Sequence, residues 1–237
     1  MINSTIELPK MIADFPAPVL ANPLLPALPL SETYMMDCIA GMKEYPDKWF
    51  DLAVVDPPYG IGVNMNMGTR KGERRKHNSK DWDKVPPNAE YFYELKRVSH
   101  NQIIWGANNF IGYLDNSSGW IFWDKMITGK VDFSHGELAW TSFNKSLKKY
   151  SLPIQQVYLT EPRIHPTQKP ISLYNFCFQF AKCEEGMKIL DTHLGSGSSR
   201  IAAHKNKLNF VGFEIDKEYF DKQEKRFANY VCQPRLF

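Results

Sequence analysis

Long uninterrupted apolar runs are missing from this chain. Its most apolar segment, Phe15 to Leu30, is broken by Pro16, Pro18, Pro23, Pro26 and Pro29. That spacing forbids a spanning helix, so no membrane partner is expected, and it favours an extended arm lying over a surface. The N-terminus lacks a basic region followed by an apolar core, and no signal peptide is expected. Cysteine is scarce: Cys38, Cys177, Cys183 and Cys232 form no CxxC and no tight pairing with histidine. This argues against a metal site and for reduced thiols in a cytosolic protein. Net charge is small, +3, so composition alone does not imply nucleic acid and the distribution of charge matters more. Internal repeats and low-complexity tracts are also lacking. What is present is 237 residues, 43% apolar and 14% aromatic, enough for one sizeable folded domain rather than two.

One stretch concentrates unusual chemistry. Leu52 to Val55 reads as a strand buried on both faces, and it runs into Asp56-Pro57-Pro58-Tyr59-Gly60. Neither proline offers an N–H, so the ladder must stop at Asp56. A carboxylate, a stiff dipeptide and a ring are thus presented at a strand's carboxyl end, where open α/β sheets bind ligands. A plain strand followed by a tight turn would look the same locally.

Around it the pattern alternates. Glu32 to Cys38 reads as a strand, Ile39 to Tyr45 as a short helix, and Asn88 or Pro87 caps a helix to about Ser99. Further strands are expected at Gln102 to Gly106, at Gly119 to Lys125, and, antiparallel, at Glu137 to Phe143. Between Gly60 and Trp82 lies a long loop whose segment 68–78 has five basic residues, Arg70, Lys71, Arg74, Arg75 and Lys76, and one acid. Lys130, Lys145, Lys148 and Lys149 make a second basic cluster. Ile164 to Pro170 is a rigid polar entry to a helix from Leu173 to Lys182. Two βα units close the chain: a strand at Met187 to Asp191 with a helix to Lys205, then a strand at Phe210 to Glu214 with a helix to about Tyr230. Such alternation implies a mostly parallel, doubly wound sheet.

Asp191-Thr192-His193-Leu194-Gly195-Ser196-Gly197-Ser198 follows one buried strand and opens a helix, and Glu214 ends the next strand. Two glycines allow close backbone approach, the helix N-terminus offers free N–H groups, and a strand-end acid suits ribose hydroxyls. A lysine and a four-residue gap are absent, which excludes a P-loop. Arg200 stands where a third glycine of the dinucleotide fingerprint belongs. A nucleoside cofactor without a pyrophosphate fits better, and S-adenosyl-L-methionine is the obvious one.

With Asp56 to Tyr59 first, His165-Pro166-Thr167-Gln168-Lys169-Pro170 next, then the glycine loop and Glu214, the chain resembles the S-adenosylmethionine-dependent DNA amino-methyltransferases of the permuted beta class. The resemblance covers roughly residues 31–230. It implies a circularly permuted Rossmann-like α/β fold, with a doubly wound, mostly parallel seven-stranded sheet carrying one antiparallel strand. Residues 1–30 would be an arm and 31–237 one methyltransferase domain, with a DNA loop at about 61–82 and a short target-recognition region at about 126–163. The chain start and end should lie close together.

The resemblance further implies that Asp56 and the Pro57 carbonyl, with Pro58 and Tyr59, act on a flipped-out base, Tyr59 stacking on it. Asp37, Cys38, Asp56, Thr167, Lys169, Asp191, Leu194, Gly195, Gly197, Ser198 and Glu214 would hold the cofactor. The usual aromatic-x-Gly-x-Gly loop is altered to Thr192-His193-Leu194, so Leu194 is expected to pack on the cofactor in place of a ring. Arg70, Lys71, Arg74, Arg75, Lys76, Lys145, Lys148 and Lys149 would bind double-stranded DNA. Asp56 leans towards N6-adenine as target. N4-cytosine, an RNA or protein amide, and a silent DNA-binding remnant are the alternatives. A homodimer and a cognate restriction endonuclease stay open as partners, in the cytoplasm of a bacterium or of a phage's host.

Overall fold

In the computed structural model the described residues are 29–60, 86–129 and 134–232. Nearly all of the expected arm, the basic loop with Arg70, Lys71, Arg74, Arg75 and Lys76, and Lys130 lie outside them.

Among the described residues eight strands form one sheet: β1 (Ser31–Met35), β2 (Phe50–Val55), β3 (Ser99–Trp105), β4 (Trp120–Asp124), β5 (Gly136–Thr141), β6 (Lys148–Ser151), β7 (Lys188–Asp191) and β8 (Asn209–Glu214). The helices are α1 (Cys38–Lys43), α2 (Ala89–Val98), α3 (Ile154–Thr160), α4 (Ile171–Ala181), α5 (Ser198–Lys205) and α6 (Lys217–Cys232). Across the sheet the order is β1-β8-β7-β2-β3-β5-β4-β6. Only β5 runs against its neighbours, pairing antiparallel with both β3 and β4. The one antiparallel strand is as expected, but the count is eight rather than seven. The extra strand is β6, which pairs parallel with β4 at the sheet edge. Its sequence, Lys-Lys-Tyr-Ser, has no apolar alternation, and only the open edge of β4 makes it a strand.

The core follows from period two along the strands. Leu52 and Val54 of β2 join Ile103, Ile121 and Ile189 beneath α4 and α5. Ala53 and Val55 turn to the other face, where Tyr91, Phe92, Leu95 and Val98 of α2 cover them. Helices on both faces require central strands that are apolar throughout, and five of the six β2 residues are buried. Asn88 caps α2, its side chain accepting from Tyr91 N at 3.0 Å. Among the described residues no helix is long and apolar enough to cross a membrane.

From β7 the chain winds through α5 to β8, while from β2 it winds through α2 to β3, in the opposite direction. The winding therefore switches between β7 and β2, and the carboxyl ends of these neighbours open a crevice. β1, first in sequence, sits beside β8, near the last. Arg200 ties the two regions, donating to Ser31 Oγ at 2.9 Å while its guanidinium lies 3.9 Å from the Phe227 ring. The first described strand and the last helix are thereby neighbours, while the chain's start and end, expected to lie close together, fall outside the described residues.

Candidate active site at the switch of the sheet

Pro57 and Pro58 end the β2 ladder and leave the Asp56 side chain at the mouth of the crevice. Its carboxylate is gripped from two sides. Tyr59 OH donates to one oxygen at 2.7 Å, and Lys169 Nζ lies 2.5 Å from the other. Lys169 is 4% exposed and also reaches Glu137 of β5 at 2.9 Å and Tyr59 OH at 3.0 Å. Lys125 pairs with the other oxygen of Glu137 at 2.7 Å. Two carboxylates and two ammonium groups thus balance in a largely dehydrated network. Burial would raise Glu137, but Lys169 and Lys125 outweigh it and hold its carboxyl at about 2. Burial likewise carries Asp56 above its ordinary value, with Lys169 and Tyr59 pulling the other way. Lys169 is held above its usual range because Asp56 and Glu137 outweigh its burial.

The Tyr59 ring needs room that only glycine provides. Gly106, just past β3, has φ +67, and a Cβ there would stand 2.0 Å from Tyr59 Cε1. Phe110 meets the same ring edge-on at 6.1 Å.

A cavity of about 200 Å³ opens beside Asp56 and Pro58, bounded by Thr167, Lys169, the His193 to Ser196 turn, and Glu214 to Asp216. Gly195 and Gly197 take positive φ, which lets the turn double back, and no side-chain hydrogen bond caps α5 at Gly197. Glu214 accepts from Gly195 N and from Asp216 N, each at 2.9 Å. A carboxylate has about four acceptor positions, so roughly two remain for a diol. Burial raises its carboxyl above the ordinary range.

The expected site residues divide. Asp56, Pro58, Thr167, Lys169, Leu194, Gly195 and Glu214 border the cavity, whereas Pro57, Tyr59, Gly197 and Ser198 do not line it. Three more residues expected at the cofactor do not line the cavity. Asp191 is wholly buried and turned inward, accepting from Ser199 Oγ at 2.5 Å and His193 N at 3.0 Å, so it shapes the loop. Asp37 is an exposed N-cap, accepting from Ala40 N at 2.9 Å. Cys38 lies 3.9 Å from His193 Nε2 and does not border the cavity either. The loop is also not without a ring. His193 stands in the aromatic place, borders the cavity beside Leu194, and packs 5.5 Å from Tyr91. Lys169, expected in the methionine pocket, reaches Asp56 as well.

The described lysines of the second basic cluster differ in their settings. Lys145 donates to the Phe180 carbonyl and lies 4.7 Å from the Phe143 ring, so it is packed rather than offered to a phosphate. Lys149 pairs with Asp124 at 3.0 Å, while Lys148 is exposed on edge strand β6. Much of the expected recognition region is structural too. β5 and β6 belong to the sheet, and Ile154 and Val157 of α3 enter the core. Glu137, Lys125, His165 and His193 were missed as site residues. Only the polar start of an apolar strand hinted at Glu137.

A family model described as DNA methylase matches residues 130–225. The type II methyltransferase M.HinfI of Haemophilus influenzae is 28% identical over 247 residues, covering 84% of this chain and 68% of that protein. A putative DNA modification methylase from Thermus thermophilus, solved complexed with S-adenosyl-L-methionine, superposes with a TM-score of 0.57 at 18% identity, covering 86% of this chain and 97% of that one. The PvuII DNA methyltransferase, described as cytosine-N4-specific, gives a TM-score of 0.57 at 13% identity, covering 88% and 89%. At such identities the structural likeness concerns the fold: α/β with a mostly parallel sheet.

Proposed function

We infer that this chain belongs to the N6/N4 DNA methylases, which it resembles, and that it moves a methyl group from S-adenosyl-L-methionine to the N6 amine of a flipped-out adenine in double-stranded DNA. The observation that carries this reading is the Asp56 carboxylate, held by Lys169 and Tyr59, facing a cavity that the glycine turn and Glu214 border. The cavity's chemistry fits the donor. Glu214 has acceptor positions for ribose hydroxyls, His193 and Leu194 offer apolar contact, and the uncapped α5 start favours a carboxylate. When bound, the donor supplies an already electrophilic methyl group.

The protein's own task is positioning. The exocyclic amine is a weak nucleophile because its lone pair is delocalised into the ring. Asp56 and the Pro57 carbonyl accept its two hydrogens and favour a tetrahedral nitrogen in line with the methyl. The target base leaves the duplex to get there, and Tyr59 turns from Asp56 to stack on it. Adenine is preferred over cytosine because an aspartate, not a serine, opens the Asp-Pro-Pro-Tyr stretch. The test is incubation with labelled cofactor and duplexes of differing base content. Label recovered in N6-methyladenine supports the reading. Label confined to cytosine, or none despite cofactor binding, overturns it.

A further inference from the structure

The ion-pair network on Asp56 extends further than methyl transfer requires. Asp56 follows β2, Glu137 lies in β5, Lys125 follows β4, and Lys169 precedes α4. One ammonium group joins three of these elements, since Lys169 Nζ contacts Asp56, Tyr59 and Glu137 at once. Salt bridges this buried cost desolvation, and removing one partner leaves an uncompensated charge. A lone lysine beside Asp56 would neutralise it. The second acid and second lysine are needed only if the first ammonium is to stay shared rather than collapse onto one carboxylate.

We propose that Lys169 and Glu137 are positioning residues, a brace that keeps the Asp56 carboxylate charged and turned towards the incoming amine. Lys169 and Tyr59 take one acceptor position on each Asp56 oxygen, which leaves one on each for the amine. Glu137, anchored by Lys125, stops Lys169 from swinging across the amine's place. The brace also couples β5, and with it the segment expected to read DNA, to the reacting centre. This rests on the methyl-transfer reading.

Without Lys169, Asp56 would lose its own ammonium partner and face Glu137, whose charge Lys125 alone would offset, and it would protonate more readily. A protonated carboxyl presents a hydrogen where an acceptor is needed. Other ionisable groups around Asp56 include the phenols of Tyr59, Tyr91 of α2 and Tyr174 of α4, all raised well above their usual range by burial, and Asp191 of β7, with His165, His193, Glu214 and Asp216 lining the same cavity.

The test follows the Asp56 carboxyl by carbon NMR in protein labelled at aspartate, with Asp56→Asn identifying the signal and no cofactor or DNA added. Lys169→Met is expected to move its titration midpoint up by about one pH unit or more. The double variant Lys169→Met with Glu137→Gln restores charge balance, and the midpoint should move part of the way back. In turnover, Lys169→Met should lose about tenfold or more in kcat at pH 7 and recover as pH rises, with the KM for cofactor changed less than about twofold. A midpoint unmoved from wild type in folded Lys169→Met, a double variant whose midpoint does not come back from that of Lys169→Met, or a loss expressed only in the cofactor KM overturns the brace. A wild-type protein that methylates no DNA overturns the methyl-transfer reading instead, and the titration still decides the brace.

Discussion

Asp56 draws its chemistry from what it cannot do as much as from what it can. Held by an ammonium 2.5 Å away and a phenol at 2.7 Å, its carboxylate is placed to act as an acceptor in the proposed reaction. Asp56→Ala should therefore lower methyl transfer by about 100-fold or more, while calorimetry finds cofactor affinity within about twofold. Gly106 gives a second test. A Cβ 2.0 Å from the Tyr59 ring, on a backbone at φ +67, must push that ring aside. Gly106→Ala should cost about 1–3 kcal/mol in urea unfolding and reduce kcat. Gly112→Ala, where nothing lies within 4 Å, should change neither.

At the scale of elements, the glycine turn and the end of β8 act together, because Glu214 accepts from Gly195 N. Glu214→Gln would set an amide nitrogen against a backbone N–H and remove a charged acceptor. Cofactor affinity should fall about 10- to 100-fold, read by calorimetry, since hydrogen bonds to charged groups are worth about 1.5–3 kcal/mol. The loop with Arg70, Lys71, Arg74, Arg75 and Lys76 is assigned to phosphates by its composition. Neutralising all five should flatten the salt dependence of DNA affinity, by up to about 0.9 in log–log slope for each phosphate no longer neutralised. An unchanged slope removes the loop from the interface. Since Lys145 is packed and Lys149 is paired, substituting these two should leave the slope nearly unaltered.

For the whole molecule, buried titratable groups set the response to acid. Burial holds His165 at about 3 and His193 at about 4, while it lifts Asp191 to about 7. Between pH 4 and 6.5 the unfolded chain binds two protons at these histidines that the folded chain refuses. The folded chain keeps one at Asp191 that the unfolded chain has released. For these three groups the histidines win, so their combined contribution to stability should rise with pH across that window. It should then slip slightly as Asp191 ionises towards pH 7. Below about 4.5, Glu137, held at about 2, adds to the loss in acid. Asp191→Asn should steepen the rise and abolish the slip, measured as urea midpoints against pH.

Much of this architecture was legible in the chain alone. Apolar runs marked β2 and β7, two prolines marked where β2 stops, and Asn88 marked the start of α2. The order of the Asp-Pro-Pro-Tyr stretch, the glycine loop and Glu214 marked the permuted sheet. Each of these signals is local, written in residues adjacent in sequence. The brace is not local. Glu137, Lys125 and Lys169 meet Asp56 only because the sheet sets β5 beside β3 and the loop before α4 across β2. The same holds for the misjudged charges. Lys145 and Lys149 look alike in sequence, yet one lies against two aromatic rings and the other on a solvated edge. Asp191 reads as a ligand from its place in the loop, and only the fold shows it buried and bonded to Ser199. Local pattern determines which strands and helices form. Which charges lose their water, and which partners then compensate them, is decided only when distant elements pack.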